Sequence, residues 1–207
     1  AAALARSLPT AKGVIEAVAQ RDHGWDWDLY EPIVGSALRG RLRIIAADLD
    51  AAWVASVHAK GLGGLPPEIV DRLALAEPRL TPDTRRRMAD EITQAHCGHA
   101  PAPMIDRLID AQRARDAQLA RALVDAVLAG ADGAVLIAGT GHVRHDTGVP
   151  LDLARWTPTA TVRSVAFLEV PTDEIDAAGA LQGSVGNPAP FDYVWFTPRV
   201  DALDPCE

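Results

Sequence analysis

A run of five apolar residues at positions 134–138 constrains the fold more than any other feature of this sequence. The run has the length of a buried strand, and it follows a long segment of helical periodicity over 104–129. Gly139 and Gly141 end it. A short buried strand that directly follows an amphipathic helix is typical of an α/β sheet. The sequence therefore predicts a mainly parallel central sheet flanked by helices.

The rest of the chain continues this alternation of helix and strand. Apolar runs predict further strands at 42–47, 162–170 and 193–196. Helical spacing and capping signals predict helices over 10–21, 29–39, 50–60, from Pro66 onwards, from Thr81 to His96, and over 150–155. The polar, Gly- and Pro-rich residues 171–190 predict a long loop, and Gly98 is expected to end a helix with a positive φ.

We expect residues 1–207 to form a single domain. A parallel sheet normally opens with a strand, whereas this chain starts on a helix. We therefore expect an opening strand segment to precede Ala1. The net charge of −8 argues against nucleic acid as a partner, because a phosphate backbone demands a basic face.

His142 is the strongest candidate for a site residue. It lies in a glycine-rich turn after the predicted strand 134–138, and ligands gather outside the carboxyl ends of strands in open α/β sheets. Gly139 and Gly141 allow positive φ and a close backbone approach. The imidazole can bind a metal or act as a base, and Arg144 can pair with a carboxylate. The alternative is a histidine that only hydrogen-bonds its own loop.

Two further groups of residues are candidates. His96 and His99 lie three residues apart near a helix end, and with Cys97 they leave a zinc site open. A disulfide between Cys97 and Cys206 is the preferred interpretation of the two cysteines. On the long helix, Gln112 faces the same way as Arg115 and Asp116. With Met104 these residues can border a pocket, hold a carboxylate or position His142; an exposed ion-paired face is the alternative.

Five stretches, in order, resemble one known family, the ChaN-like haem-binding domain of the Tiki superfamily. They are residues 24–33, 96–99, 104 with 111–116, 137–144 with 148–150, and 193–198 with 204–206. The resemblance covers roughly residues 10–207. The opening strand of that family, with its Gly-Glu-x-His-like motif, is absent from this sequence.

The resemblance implies a haem-binding protein of the bacterial cell envelope that serves haem and iron uptake. It further implies a homodimer that encloses haem, in the periplasm or anchored to the outer membrane by a lipid upstream of the chain. His142, His96, His99 and Tyr30 are then candidate iron ligands, because imidazole and phenolate both bind haem iron. Arg144 and Arg115 would pair with the propionates.

A metal-dependent hydrolase of the same superfamily is the alternative function. In that case His142 would bind a divalent ion that activates water. A Ser-His-Asp hydrolase is not supported, because the sequence has no Gly-x-Ser-x-Gly motif. We therefore expect a haem-binding protein in preference to an enzyme.

Overall fold

The computed structural model describes residues 10–19, 26–170 and 189–199, which form seven α-helices and two β-strands. The helices are α1 (Ala11–Ala19), α2 (Glu31–Arg39), α3 (Ala51–Lys60), α4 (Pro67–Arg72), α5 (Pro82–Ala95), α6 (Ala102–Leu128) and α7 (Val149–Trp156). The strands are β1 (Val165–Val170) and β2 (Tyr193–Pro198). Short 3-10 turns form at Trp27–Tyr30, Gly61–Gly64 and Thr140–Val143.

The chain divides into two compact units, Ala1–Ala46 and Ala47–Glu207. The first unit contains α1, α2 and the turn between them, and Ile15 of α1 is buried there. The second unit contains the remaining helices and both strands. All of the site geometry described below belongs to the second unit.

The helix boundaries follow the capping signals in the sequence. Thr81 precedes α5 and accepts a hydrogen bond from the backbone N–H of Thr84 at 3.1 Å, as a side-chain N-cap does. Asp50 caps α3 in the same way through the N–H of Ala52 at 2.8 Å. Beyond α5, Gly98 has a φ of +75°, which confirms the predicted positive φ at this position.

Helix α6 is the central element of the second unit. Its buried alanines at 111, 114 and 117 pack against Val57 of α3 and Leu73, in one apolar cluster. Its last turns pack against α7, where Leu119 and Val124 lie with Val149 and Leu153 in a second cluster. The small alanine side chains let neighbouring backbones approach closely, so α6 is held on several sides at once.

The two strands lie side by side and run parallel, with Val165 opposite Tyr193 and Val170 opposite Pro198. Parallel pairing confirms that part of the predicted α/β arrangement. One face of the pair is exposed, and its apolar side chains are Val165, Phe167, Tyr193 and Trp195.

The predicted strands at 42–47 and 134–138 form no β-ladder among the described residues, so a four-stranded central sheet is not seen. The second segment nevertheless alternates as a strand does. Leu136 packs on the α6–α7 cluster, whereas Val135 is 86% exposed. An extended segment becomes a strand only when a neighbour pairs with its backbone, and that pairing is not encoded in the segment itself.

Most of the predicted long loop, residues 171–188, lies outside the described residues. Within the described ranges, no helix is both long enough and apolar enough to cross a membrane.

Candidate functional site

His142 and Asp116 form a buried pair. His142 lies in the 3-10 turn that follows segment 134–138, and Asp116 lies in the middle of α6. The ring nitrogen Nδ1 of His142 is 2.6 Å from Oδ1 of Asp116. Asp116 is 2% exposed and His142 is 7% exposed. The close contact therefore joins the glycine-rich turn to the central helix in an environment nearly free of water.

Gln112 completes this group from one turn earlier on α6. Its Nε2 lies 2.9 Å from Nδ1 of His142 and 3.5 Å from Oδ1 of Asp116. An ionised carboxylate only accepts, so the contact with Asp116 requires a hydrogen on Nδ1, whereas the amide of Gln112 requires a lone pair on the same atom. With the hydrogen on Nδ1, Gln112 can donate to Oδ1 of Asp116 instead, and Nε2 of His142 is the ring nitrogen left for another partner.

Burial dominates the electrostatics of Asp116. Desolvation raises the pKa of this carboxyl to about 6, although the hydrogen bond and charge of His142 act in the opposite direction. The second carboxylate oxygen, Oδ2, is buried without a hydrogen-bond partner among the described residues. A perturbed buried carboxyl bonded to an imidazole is typical of a functional site.

A cleft of about 370 Å³ lies next to this pair, within the size range of small-molecule sites. Helices α3, α5 and α6 and the loop around Gly141 form its walls. Its apolar lining includes Val54, Met88, Ile92 and Leu108, and its polar lining includes His58, Glu91, His96, Gln112, Arg115 and Arg144. His142 lies behind this lining and adjoins it through Gly141 and Gln112.

His96 lines the cleft at the end of α5 and is exposed. Its Nδ1 is 2.8 Å from the carbonyl oxygen of Ile92, so Nδ1 carries the hydrogen and donates it. The lone pair of this ring is consequently at Nε2. His96 and His142 therefore share one feature, an Nδ1 that is already engaged by an acceptor of the protein.

The two arginines of the cleft are paired with acidic residues of the chain. Arg115 binds Asp48 in a bidentate manner, with N–O distances of 2.6 to 3.1 Å. Burial raises the pKa of Asp48, but the hydrogen bonds and charge of Arg115 outweigh it and hold the pKa below its ordinary value. Arg144 binds Asp146 at 3.0 Å through two nitrogens and lies 3.7 Å from Glu91. A ligand carboxylate would have to compete with these acids for both arginines.

Several of the predicted site residues lie together, and others do not. The cleft brings together His96, Gln112, Arg115, Gly141 and Arg144, with His142 directly behind. His99, Met104 and Gly139 are not part of its lining. Tyr30 belongs to the other compact unit, where its ring packs edge-on against Trp27 at 6.2 Å.

The expected role of Gly139 is not realised. Its φ is −59°, a value open to any residue, and Gly141 lies within a 3-10 turn. The close approach occurs instead at Gly148, where an added Cβ would overlap the carbonyl oxygen of His142. The glycine needed to hold the turn around His142 therefore comes six residues after it.

Cys97 is disulfide-bonded and has a φ of +56°. Its predicted partner, Cys206, lies outside the described residues, so the pairing stays a prediction. A zinc site with His96 and His99 finds no support in the described ranges, where no group of three or more His, Cys, Asp or Glu side chains could hold a metal ion.

Sequence reasoning missed three residues of the site: Asp48, His58 and Glu91. Asp48 directly follows the predicted strand 42–47, just as His142 follows 134–138, and that shared position was the available signal. His58 and Glu91 are exposed side chains on α3 and α5, and the sequence pattern carries no signal for their place at the cleft.

The described part of the chain is thus a helix-rich fold with a small parallel two-stranded sheet, in which a cleft lies beside a buried His–Asp pair. A family model described as "Haem-binding uptake, Tiki superfamily, ChaN" matches residues 4–153. The chain belongs to this family of haem-binding uptake proteins.

A solved structure also resembles this chain. It is described as cofacial heme binding to ChaN of Campylobacter jejuni, with a TM-score of 0.58 and 20% sequence identity. The match covers 77% of this chain and 58% of that one, so this chain spans somewhat more than half of its neighbour's length. At this identity the likeness shows the fold alone. A comparison with curated proteins gave no match.

Proposed function

We propose that the chain binds haem in the cleft between α3, α5 and α6, and that His96 and His142 bind the iron through Nε2. The observation that carries the proposal is the hydrogen-bond contact that each of the two rings makes through Nδ1. Each has its Nδ1 engaged by an acceptor, Ile92 O in one case and Asp116 in the other. Histidines that bind metals in proteins commonly donate their other ring nitrogen in this way.

The lining of the cleft suits a porphyrin. Val54, Met88, Ile92 and Leu108 offer apolar contacts for the macrocycle. Arg115 and Arg144 lie at the same cleft and can pair with the propionates if these displace Asp48 and Asp146. Bound haem would supply an iron that exchanges ligands, while the chain's own residues bind and orient it.

Hemin titration of the purified protein tests this function. The wild type should develop a Soret band that saturates, and His96→Ala or His142→Gln should shift its position and weaken binding by at least the roughly 10- to 100-fold that loss of an outer-shell partner costs. Glutamine is chosen at 142 because its amide can still donate to Asp116.

His99→Ala is the matched control, since His99 lies near the end of α5 but outside the cleft lining. Its hemin titration should be the same as that of the wild type. A wild type that shows no spectral change with excess hemin would contradict the proposal. Equal spectra for the wild type and both cleft variants would remove His96 and His142 as ligands.

The family supports a place in the bacterial cell envelope, and we propose that the protein acts there as a homodimer in haem and iron uptake. A periplasmic location or an outer-membrane lipid anchor belongs to the same proposal, as does a role for Tyr30 as ligand. Fractionation of the native protein tests the location, and light scattering with and without hemin tests the dimer.

We also keep the single domain and the larger parallel sheet as proposals. The exposed apolar side chains of Val135, Phe167 and Trp195 support the larger sheet, because parallel sheets are covered on both faces. Slow hydrogen exchange at 134–138 would indicate a strand paired on both sides, and fast exchange would contradict it.

A further inference from the structure

Two side chains compete for one nitrogen of His142. Oδ1 of Asp116 lies 2.6 Å from Nδ1, and Nε2 of Gln112 lies 2.9 Å from the same atom. An ionised carboxylate only accepts a hydrogen bond, whereas the amide nitrogen only donates one. Nδ1 of a neutral ring either carries a hydrogen or presents a lone pair. It can therefore satisfy Asp116 or Gln112, but not both.

We infer that Asp116 is a positioning residue that selects the tautomer of His142 with hydrogen on Nδ1, and so places the ring's lone pair on Nε2. The inference rests on the proposed function for its meaning, because Nε2 is the atom proposed to bind iron. The ring's own chemistry does not require this tautomer, since the choice depends on which neighbour of Nδ1 forms the hydrogen bond.

Asp116 prevails for two reasons. Its contact with Nδ1 is the shorter one, and it is charge-assisted, which makes it roughly twice as strong as a bond between neutral groups. Gln112 has another acceptor within reach, because its Nε2 lies 3.5 Å from Oδ1 of Asp116. The amide can thus turn to the carboxylate and release Nδ1.

The burial of Asp116 makes this hydrogen bond hard to replace. The residue is 2% exposed, and Oδ2 has no hydrogen-bond partner within the described part of the chain. The imidazole is consequently the main donor to this carboxylate. Leaving the carboxylate without that donor would cost more than losing the amide contact.

Removal of Asp116 should reverse the tautomer. In Asp116→Ala, Gln112 would be the remaining partner of Nδ1 and would donate to it. The ring hydrogen would then move to Nε2, and Nε2 would no longer offer a lone pair to a ligand. In Gln112→Ala, Asp116 stays in place and the original tautomer should persist.

The test is nitrogen-15 NMR of the ligand-free protein at pH 8. The signal of His142 is assigned by its absence in His142→Gln. We expect a protonated Nδ1 and an unprotonated Nε2 in the wild type and in Gln112→Ala. In Asp116→Ala the two nitrogens should exchange these roles, and hemin binding should weaken by about 10- to 100-fold.

A wild type with hydrogen on Nε2 would overturn the inference, and so would an unchanged tautomer in Asp116→Ala. If Asp116→Ala does not fold, the wild-type spectrum still tests the inference, because it shows which ring nitrogen of His142 carries the hydrogen. The result is separate from the proposed function, because the spectra are recorded without haem. A protein with the expected tautomer that binds no hemin would contradict the function and leave the role of Asp116 intact.

Discussion

The described part of the second unit contains two histidine–aspartate pairs, one buried and one near the surface. In the buried pair, His142 and Asp116 lie in a nearly dry environment, and desolvation raises the pKa of Asp116 to about 6. In the other pair, Nε2 of His145 lies 2.9 Å from Oδ2 of Asp192 at the start of the β1–β2 sheet. There the backbone N–H of Ser164 is the largest influence, and the pKa of Asp192 lies below its ordinary value.

The difference shows that residue types alone do not determine what such a pair does. The pair near the surface connects separate backbone segments. Ser164 donates its backbone N–H to Asp192 at 2.8 Å, and the backbone N–H of His145 donates to the carbonyl oxygen of Pro190 at 2.8 Å. The buried pair instead keeps a carboxylate out of water, which raises its pKa, and perturbed pKa values of this kind cluster at functional sites.

The largest difference between the two pairs should appear in the free energy of unfolding when the histidine of each pair is replaced by alanine. His142→Ala leaves the carboxylate of Asp116 buried without its main donor, which should lower the free energy of unfolding by about 3–5 kcal/mol. His145→Ala should lower it by less than about 1 kcal/mol, since that pair is partly solvated. Urea unfolding at pH 7 measures both. Equal losses would mean that burial does not distinguish the two pairs.

The second prediction concerns pH. A carboxyl whose folded pKa is raised above its unfolded value binds protons more tightly in the folded state. Asp116 therefore stabilises the protein as pH falls from 8 towards 4, by up to about 3 kcal/mol for a shift from 3.8 to about 6. Asp116→Asn should be more stable than the wild type at pH 8.

Thermal unfolding of Asp116→Asn and wild type between pH 4 and pH 8 checks this sign. The advantage of the variant should shrink as the wild-type carboxyl becomes protonated and vanish near pH 4. An advantage independent of pH would show that the folded pKa of Asp116 is not raised.

The smallest effect should come from Asp192→Asn, and its sign should be opposite. Because the folded pKa of Asp192 is lowered, its contribution is present above pH 4 and is lost as pH falls through the folded value. The variant should thus be slightly less stable than the wild type at pH 7 and equal to it at low pH. The same thermal scans measure this, and a gain in stability at pH 7 would refute it.

The sequence predicted those parts of the molecule that depend on local chemistry. Thr81 and Gly98 mark the ends of α5 because capping needs only neighbouring residues. The possible link between Gln112, Asp116 and His142 was also foreseeable, since the spacing of four places the first two on one helix face. The structure brings that face to His142.

The remaining features depend on distant partners. Arg115 was expected to be available for a ligand, yet it binds Asp48, which lies 67 residues away along the chain. Segment 134–138 has the composition of a buried strand but pairs with no neighbour among the described residues. Composition indicates which segments can be strands, whereas backbone pairing is decided by tertiary structure.

Helix α6 has a consequence for how this protein can change. Gln112, Arg115 and Asp116 lie within about two turns of the helix, together with the alanines at 111, 114 and 117 that pack against α3 and its neighbours. The same helix therefore carries both the polar residues of the site and the alanines that pack it into the core. A bulkier residue at any of those alanine positions would rotate or shift α6 and displace all three polar side chains together. The properties of this site could therefore change step by step only through substitutions on the other walls of the cleft, which include α3 and α5.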